Sequence, residues 1–445
     1  MDQTFDFLNI STHIDGDKIS WEVGGALGNL PMIKQQVDRF FNIMNSIKVI
    51  GKTKDGLNVY NLYNPPQPSS AGMRYLERSV RQMAIKNALP ATTNFHITTA
   101  CQCKCVHCSA DPLIDPEREM LSTEEMKEAV RGAQRLGSSL VIFTGGDPFC
   151  RKDFFELVET VDKKQSICMI FTNGLGLTEE NCKRAAEAGL FSLNVSIDSP
   201  DPEEHNELRR VPGLYQKALD GAARAREQGI FTGVSTYITS QGLAEGKLER
   251  MLELTEKEGF HELTVFDCMP SGNFLKDFSG VLSEDEHRKV IEITDKYNND
   301  PNYKPGVVAQ SRVNSPIGAG CFGARAQFYV TCYGDMCPCD FNPVSFGNVR
   351  DLGVEGAWFK MTAHPDFRIH HMTCRMQTPE YRERFIDMFE DGAILPVPIE
   401  EIEAQWKARG VGPMDYASYP HACANSFSSR VVKEQFEQKE EEVKA

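Results

Sequence analysis

The most informative residues of this chain are three cysteines, Cys101, Cys105 and Cys108, which stand together in one short stretch. They are spaced C-x-x-x-C-x-x-C and directly follow an apolar run typical of a β-strand, which places all three on one loop. Three thiolates on one loop can hold three corners of a cubane [4Fe–4S] cluster and leave the fourth iron open. An open iron allows a cluster to do chemistry on a bound molecule as well as to carry electrons.

Zinc is the alternative ligand for this loop, because Cys103 and His107 lie in it and zinc takes both Cys and His. The spacing favours the cluster over a structural zinc knuckle. Cys103 falls outside the cluster spacing, and we interpret it as a bystander.

Composition limits the class of protein. The chain has 445 residues, enough for two or three domains, and 41% of them are hydrophobic, which supports real cores. Its net charge of −15 argues against nucleic acid or an anionic membrane as the main partner. No apolar run approaches the roughly 18 residues of a transmembrane helix, and the first residues lack a signal-peptide pattern. The 14 cysteines therefore indicate metal ligands and buried thiols in a reducing cytoplasm.

Short apolar runs alternate with amphipathic helical patterns between about residues 93 and 268. Such runs are typical of strands that are buried on both faces of a parallel sheet. Functional sites of parallel β/α sheets lie at the carboxyl ends of the strands. The six predicted strands span residues 94–99, 139–145, 166–172, 191–197, 232–238 and 262–267.

The cysteine spacing after the first of six β/α units resembles the radical S-adenosylmethionine (radical SAM) superfamily. The resemblance implies an α/β fold, a partial (β/α)6 TIM-like barrel. It also implies that Cys101, Cys105 and Cys108 hold a catalytic [4Fe–4S] cluster. In this family S-adenosylmethionine binds the open iron, and the reduced cluster cleaves it to a 5′-deoxyadenosyl radical that abstracts a substrate hydrogen. An electron donor such as flavodoxin or ferredoxin would be a partner.

Several further residues match the S-adenosylmethionine site of that family. Gly145, Gly146 and Asp147 stand where the family usually has Gly-Gly-Glu, a motif that binds the amino group of the methionine part. By itself, Gly-Gly-Asp-Pro is also an ordinary turn. The other candidates lie at strand ends or in the cysteine loop: His107 near the adenine, Asn173, Ser196 and Asp198 near the ribose, and Arg209 near the carboxylate.

A second set of cysteines follows the barrel. Cys321 and Cys339 flank Gly334 in a C-x(12)-G-x(4)-C pattern, which resembles the opening of the SPASM and twitch auxiliary-cluster domains. "QFYVTCYGDMCPC" reads as a hairpin with a glycine turn. Cys374 would be the third ligand, and one auxiliary [4Fe–4S] cluster is favoured over two because the full cysteine set is absent. We predict Cys423 as the fourth ligand; the alternatives are Cys337, a substrate atom, or a zinc site formed by Cys321, Cys337, Cys339 and Cys374.

Changes in composition along the chain suggest where its domains begin and end. We expect an N-terminal α+β extension (1–90), the barrel (91–270), a helical connector (271–315), the auxiliary-cluster domain (316–400) and a C-terminal segment with a charged tail (401–445). In the extension, a helix with a single apolar face is expected to pack on the barrel or to serve as a dock for a peptide or lipid. Residues 64–72, "NPPQPSSAG", have the composition of a linker.

The sequence therefore predicts a radical SAM enzyme with one auxiliary cluster that modifies a ribosomal peptide or protein. One alternative is a radical SAM enzyme acting on a small molecule, a cofactor precursor or a lipid. Another is a regulatory protein that binds zinc or a cluster.

Overall fold

The chain begins with a small antiparallel sheet covered by one helix. The computed structural model describes residues 2–5, 9–25, 30–390, 393–412 and 422–423. Strands β1 (Asp2–Phe5), β2 (Ile10–Asp15) and β3 (Lys18–Val23) pair in that order, and helix α1 (Pro31–Ser46) packs on them. The apolar face of α1 is buried as predicted, but against this sheet and not against the barrel, because Ile10 and Ile19 face it.

The next segment is built into the fold and is not a linker. Strands β4 (Gly51–Lys52) and β5 (Asn58–Val59) form a short hairpin, and helix α2 (Ser70–Ile85) follows it. Residues 65–68 are buried, and the Gln67 backbone exchanges two hydrogen bonds of 2.8 Å with Asn58. The composition suggested a linker, but residues 65–68 are buried within the fold.

The central sheet has nine strands among the described residues, and the six predicted strands are among them. Seven neighbouring parallel strands form its main part, in the spatial order β6 (Thr92–His96), β7 (Leu140–Thr144), β8 (Ile167–Thr172), β9 (Ser192–Ser196), β10 (Phe231–Ile238), β11 (Glu262–Asp267) and β12 (Gly306–Ala309). Strand β12 lies within the segment predicted to be a helical connector, so that segment is only partly helical.

Helices connect successive strands. Helix α3 begins with a capping box between Ser122 and Glu125 and ends at Gly137, as its sequence indicates. The connecting helices are α3 (Thr123–Leu136), α4 (Phe154–Thr160), α5 (Glu179–Glu187), α6 (Pro202–Arg209), α7 (Leu214–Glu227), α8 (Ser240–Ala244), α9 (Lys247–Lys257), α10 (Glu284–Asn299) and α11 (Gln310–Val313).

The two faces of the sheet have different neighbours. Alternate residues such as Val141 and Phe143 pack on the helices, while Leu140 and Ile142 point to the inner, concave face. Leu62 and its neighbours from the N-terminal segment fill the lower part of this inner face. The Leu62 N–H donates to Glu262 Oε2 at 3.0 Å, which anchors the segment there.

The C-terminal region extends the same sheet. Strand β13 (Gln327–Val330) pairs in parallel with β6, and β14 (Met336–Cys337) returns antiparallel to β13, which confirms the predicted hairpin. The remaining elements are β15 (Val344–Ser345), α12 (Val349–Ala363, interrupted at Gly353), α13 (Pro365–Arg368), β16 (His370–His371), α14 (Pro379–Phe385), β17 (Val397–Pro398), α15 (Ile399–Arg409) and β18 (Ala422–Cys423).

The predicted fold class is confirmed: a mostly parallel sheet carries helices on its outer face and curves around a concave interior. No helix among the described residues is both long and apolar enough to cross a membrane. The predicted charged tail lies outside the described residues.

Candidate functional site

Cys101, Cys105 and Cys108, here termed the first cysteine group, lie on the loop that follows β6, at the carboxyl edge of the sheet. None of the three is in a disulfide. The loop is held to the end of α6, because the Val106 N–H donates to the Leu208 carbonyl at 3.0 Å. The three free thiols therefore lie at the carboxyl edge of the sheet, where the functional sites of parallel β/α sheets are found.

A glycine pair after β7 clamps the start of this loop. The Gly146 N–H donates to the Thr98 carbonyl at 2.6 Å, and the Asp147 N–H donates to the Ala100 carbonyl at 2.9 Å. A Cβ at Gly146 would lie 2.1 Å from the Ala100 oxygen, and one at Gly145 would lie 2.5 Å from the Thr98 oxygen. Only glycine permits this approach, so the pair positions the cysteine loop directly.

Cys103 lies closer to the thiols of Cys101 and Cys105 than its place in the sequence suggested. Its backbone N–H points at Cys101 Sγ from 3.4 Å, and its own side chain is buried. A hydrogen bond from the Cys103 thiol lowers the pKa of Cys101 to about 6 and also lowers the pKa of Cys105. Both shifts favour the thiolates that a cluster requires.

An ion-paired network lies beside the loop. Arg209 binds Asp198 through two hydrogen bonds of 2.6 and 3.0 Å, and His107 Nε2 is 3.4 Å from the same carboxylate. Burial by itself would raise the pKa of Asp198, but the charges of Arg209 and His107 hold it well below its usual range. Arg209 and Asp198 therefore engage each other in this structure, although we predicted separate roles for them.

The His107 ring lies against an aromatic residue that the sequence analysis missed. The Tyr237 ring is 4.6 Å from it, measured between centroids, with a tilt of 41°. Tyr237 is on β10, where it alternates with residues that pack on the helices. Because successive side chains of a strand point to opposite faces of the sheet, the sequence could have predicted that Tyr237 points inward. The two rings therefore pack against each other next to the cysteine loop.

Asp147 and Asn173 are linked to each other. Asp147 accepts hydrogen bonds from the Thr172 hydroxyl and from the Asn173 and Phe149 backbone N–H groups. Burial raises the pKa of Asp147. The Asn173 side-chain amide donates to Gln102 at 2.9 Å and points at Cys101 Sγ from 3.7 Å. Asp147 thus acts as a buried clamp between two strand ends.

Ser196 lies further along the edge, at the end of β9. Its hydroxyl accepts a hydrogen bond of 3.3 Å from Ser235 on β10. The predicted S-adenosylmethionine residues therefore lie on adjacent strand ends and on the loops between them.

Cys321, Cys339 and Cys374, here termed the second cysteine group, come from three separate segments. Burial raises the pKa of Cys339, and the charges of Asp340 and of the Cys321 and Cys374 thiolates raise it further. Among the described residues, no three His, Cys, Asp or Glu side chains are placed closely enough to hold a metal ion. Cys374 Sγ also lies 3.6 Å from Met269 Sδ, at the end of β11. The group is therefore buried against the carboxyl edge of the barrel.

Two cysteines, Cys337 and Cys423, are candidates for the fourth ligand of this group. Burial and Asp335, and not the other thiols, determine the raised pKa of Cys337. For Cys423 the backbone is described and its side chain is not: β18 places it opposite His370 in an antiparallel pair. The next residue, His371, accepts a 2.8 Å hydrogen bond from the Cys321 N–H, so the β18 backbone lies one strand away from Cys321.

A small cavity of about 10 Å³ is lined by Ser109, which follows Cys108 in the chain, and by Cys339 of the second cysteine group. This volume is about what one water molecule needs, roughly 10–15 Å³. None of its lining residues is a lysine or an arginine. They are Ser109, Pro112, Leu113, Gly272, Tyr329, Cys337, Cys339, Asp340, Phe341, Asn342, Pro343 and Leu395.

Two family models match the chain. The Radical SAM superfamily model matches residues 95–255, and an iron–sulfur cluster-binding domain model, SPASM, matches residues 321–381. The first match contains the first cysteine group, and the second contains the second cysteine group.

The sequence identity to individual relatives is low. An AdoMet-dependent heme synthase of Nitratidesulfovibrio vulgaris is 28% identical over 295 residues, 62% of this chain and 80% of that protein. A PqqA peptide cyclase of Rhizobium meliloti is 25% identical over 287 residues, 61% of this chain and 74% of that protein. Among solved structures, native anSMEcpe with bound AdoMet and Cp18Cys peptide has a TM-score of 0.50 at 16% identity, covering 72% of this chain and 98% of that one. At that identity the likeness concerns the fold.

Proposed function

We propose that this chain, which belongs to the radical SAM superfamily and carries a C-terminal SPASM domain, is an enzyme that modifies a peptide. The radical SAM domain implies a [4Fe–4S] cluster and S-adenosylmethionine, and the SPASM domain implies an auxiliary iron–sulfur cluster. The proposal rests on one observation above all: Ser109, which directly follows the first cysteine group, and Cys339 of the second cysteine group line the same cavity.

The first cysteine group would hold the catalytic cluster. Its three thiols are free and share one loop, and the Cys103 thiol, which can donate its one hydrogen to Cys101 or to Cys105, favours a thiolate at the acceptor. When bound, the cluster and S-adenosylmethionine supply a radical that removes one hydrogen atom from the substrate. The packed rings of His107 and Tyr237 would position the nucleoside, and the buried Asp198–Arg209 pair would keep that side of the site rigid.

The second cysteine group would hold the auxiliary cluster, with Cys423 as its fourth ligand. Because Cys339 lines the cavity, a substrate there would lie next to this group. The neighbouring cluster would accept the second electron when a substrate is oxidised.

Charge supports a peptide over a tetrapyrrole. The name of the heme synthase relative suggests a tetrapyrrole substrate, whose carboxylates would call for arginine or lysine partners. The cavity wall offers neither; its charged residue is Asp340, whose pKa burial raises. A neutral polypeptide segment has no carboxylates and needs no arginine or lysine partners.

The N-terminal unit supports the same class of substrate. Strand β3 is an outer strand of its sheet, and among the described residues no strand pairs with its open side. Asn45 occupies that side only at Ile19, where it exchanges two hydrogen bonds with the backbone. An extended peptide can be recognised by pairing with such an edge.

The test follows the hydrogen atom. Reconstituted enzyme would be reduced with dithionite and given S-adenosylmethionine together with either a tryptic digest of a fully deuterated bacterial proteome or deuterated coproporphyrin. We expect deuterium in 5′-deoxyadenosine with the peptides and none with the porphyrin. Deuterium transfer from the porphyrin alone would instead favour the small-molecule alternative.

A further inference from the structure

Solvent reaches the inside of the barrel from the carboxyl edge of the sheet and stops at one layer of side chains. Near that edge each of the strands β7 to β12 carries an inward-pointing residue that is partly exposed, whereas the inward-pointing residue two positions earlier is buried. The space above this layer is therefore open to a ligand. The layer, here termed the upper layer, consists of Thr144, Phe171, Ser196, Tyr237, Phe266 and Val308.

Two phenylalanines of the upper layer meet across the interior. Phe171 is on β8 and Phe266 is on β11, so two other strands lie between them in the sheet. Their ring centroids are nevertheless only 6.1 Å apart. The Phe266 ring also contacts Phe341 of the C-terminal region, with 5.9 Å between centroids. The three rings, here termed the ring row, therefore cross the concave interior of the barrel.

The ring row connects the strand end beside the first cysteine group with the segment that carries the second. Phe171 is two residues before Asn173, whose side-chain amide points at Cys101 Sγ from 3.7 Å. Phe341 is two residues after Cys339. A substrate held against the rings would therefore lie between the site of hydrogen abstraction and the auxiliary cluster.

The partial exposure of three adjoining rings calls for an explanation. A single exposed apolar side chain is ordinary in a folded protein, whereas a contiguous apolar patch marks an interaction site. All three phenylalanines of the ring row are partly exposed, and Phe171 and Phe266 point into the barrel and not toward its outer surface. The partner of this patch must therefore be small enough to enter the barrel.

The geometry of the rings favours an aromatic side chain as that partner. The planes of Phe171 and Phe266 are tilted by 51° and those of Phe266 and Phe341 by 70°, so the row is not a flat platform on which a planar macrocycle could stack. Aromatic rings attract one another in such tilted arrangements, and a further ring can therefore extend the row. None of the upper-layer residues is Asp, Glu, Lys, Arg or His, so the layer offers no charge to a charged side chain.

We propose that Phe171, Phe266 and Phe341 form a subsite that binds an aromatic side chain of the substrate peptide. This inference rests on the proposed function and narrows its substrate class to peptides that carry Phe, Tyr or Trp at or beside the residue that loses a hydrogen atom. It makes the three phenylalanines residues that determine specificity.

The experiment compares two capped tripeptides, acetyl-Gly-Phe-Gly-amide and acetyl-Gly-Leu-Gly-amide, whose central side chains are both apolar while only one has a ring. Their binding to the reconstituted enzyme with S-adenosylmethionine would be measured by ligand-observed NMR titration. We expect the Phe peptide to bind about fivefold more tightly, which corresponds to about 1 kcal/mol. Phe266→Leu should reduce this preference to about twofold or less, and Phe266→Tyr, which keeps the ring, should retain it. If Phe266→Leu lost its iron, Phe171→Leu would provide the same test at the neighbouring ring.

A matched control is Phe191→Leu. Phe191 is also partly exposed and also contacts an aromatic ring, that of Phe231 at 5.2 Å, but it lies directly before β9 at the amino edge of the sheet. This variant should keep the full preference. Equal binding of the two peptides to wild-type enzyme would overturn the subsite, as would a fivefold preference that survives in Phe266→Leu. Deuterium transfer from the proteome digest reports on the proposed function separately, so transfer without a preference for the Phe peptide would refute the subsite alone.

Discussion

Replacing Gly146 by alanine should remove the catalytic cluster although Gly146 is not a ligand. The added Cβ would lie 2.1 Å from the Ala100 oxygen, 2.5 Å from the Ala100 carbonyl carbon and 2.8 Å from the Thr99 oxygen. All three are backbone atoms of the segment that enters the first cysteine group. A flexible side chain could rotate away from the new methyl group, but this segment can only move as a whole.

The size of the displacement follows from these contacts. Real Cβ atoms essentially never approach closer than 3.0 Å, so the 2.1 Å contact requires a shift of about 0.9 Å. That shift would weaken the 2.6 and 2.9 Å hydrogen bonds that hold Thr98 and Ala100. At roughly 1 kcal/mol each, the loss is about 2 kcal/mol, concentrated in the loop. Cys101 follows Ala100 directly and would move with it.

The assay is iron content after anaerobic reconstitution, combined with 5′-deoxyadenosine yield. Two [4Fe–4S] clusters hold about eight irons, and we expect Gly146→Ala to keep about four, with the yield reduced at least a hundredfold. Gly412→Ala is the matched control, because a Cβ there meets nothing within 4 Å. If Gly146→Ala retained all its iron and lost only cofactor binding, the clamp would be wrong and a role in binding S-adenosylmethionine alone would stand.

Three further predictions concern the two clusters and the barrel interior. The triple alanine variant of the first cysteine group should keep iron at the auxiliary site only and form no 5′-deoxyadenosine. Cys321→Ala should lose the auxiliary iron and still cleave S-adenosylmethionine without forming product. Cys337→Ala should keep the auxiliary iron. If Cys337→Ala lost that iron, Cys337 would be the fourth ligand of the auxiliary cluster. Burial raises the pKa of Glu262 from 4.5 to about 8, so the folded protein retains a proton that the unfolded chain releases. Stability should therefore fall, by up to about 5 kcal/mol, as pH rises from about 4.5 to 8; urea unfolding of Glu262→Gln should show a flatter dependence, and an unchanged slope would contradict the assignment.

The β/α part of the fold could be predicted from local patterns. Each of the six strands is a short apolar run, and the helices between them carry caps and apolar stripes, so each element is encoded within its own residues. The hairpin of β13 and β14 was predictable for the same reason, since its turn requires a glycine and Gly334 has a φ of +97°. The placement of the first cysteine group on a loop at a strand end followed directly.

Long-range packing was not predictable in this way. Residues 65–68 read as a linker because prolines signal turns, but they are buried within the fold. Strand β12 is only four residues long and was hidden in a stretch that looked helical. The apolar face of α1 was visible in the sequence, but not which surface would cover it.

The cysteine spacing by itself determined that this chain carries three thiols suited to a cluster. Ligands on one short loop are close in sequence, so no long-range packing is needed to bring them together. The tertiary structure alone decided the surroundings of those thiols: the glycine clamp on Ala100, the pairing of Asp198 with Arg209, and the approach of Tyr237 to His107. It also decided that Cys339 lies within electrostatic range of Cys321 and Cys374, because β13 adds to the sheet beside β6 and carries the hairpin to the barrel edge. Contacts of this kind depend on how strands distant in sequence pair, and a single sequence records only which residues could pair, not which of them do.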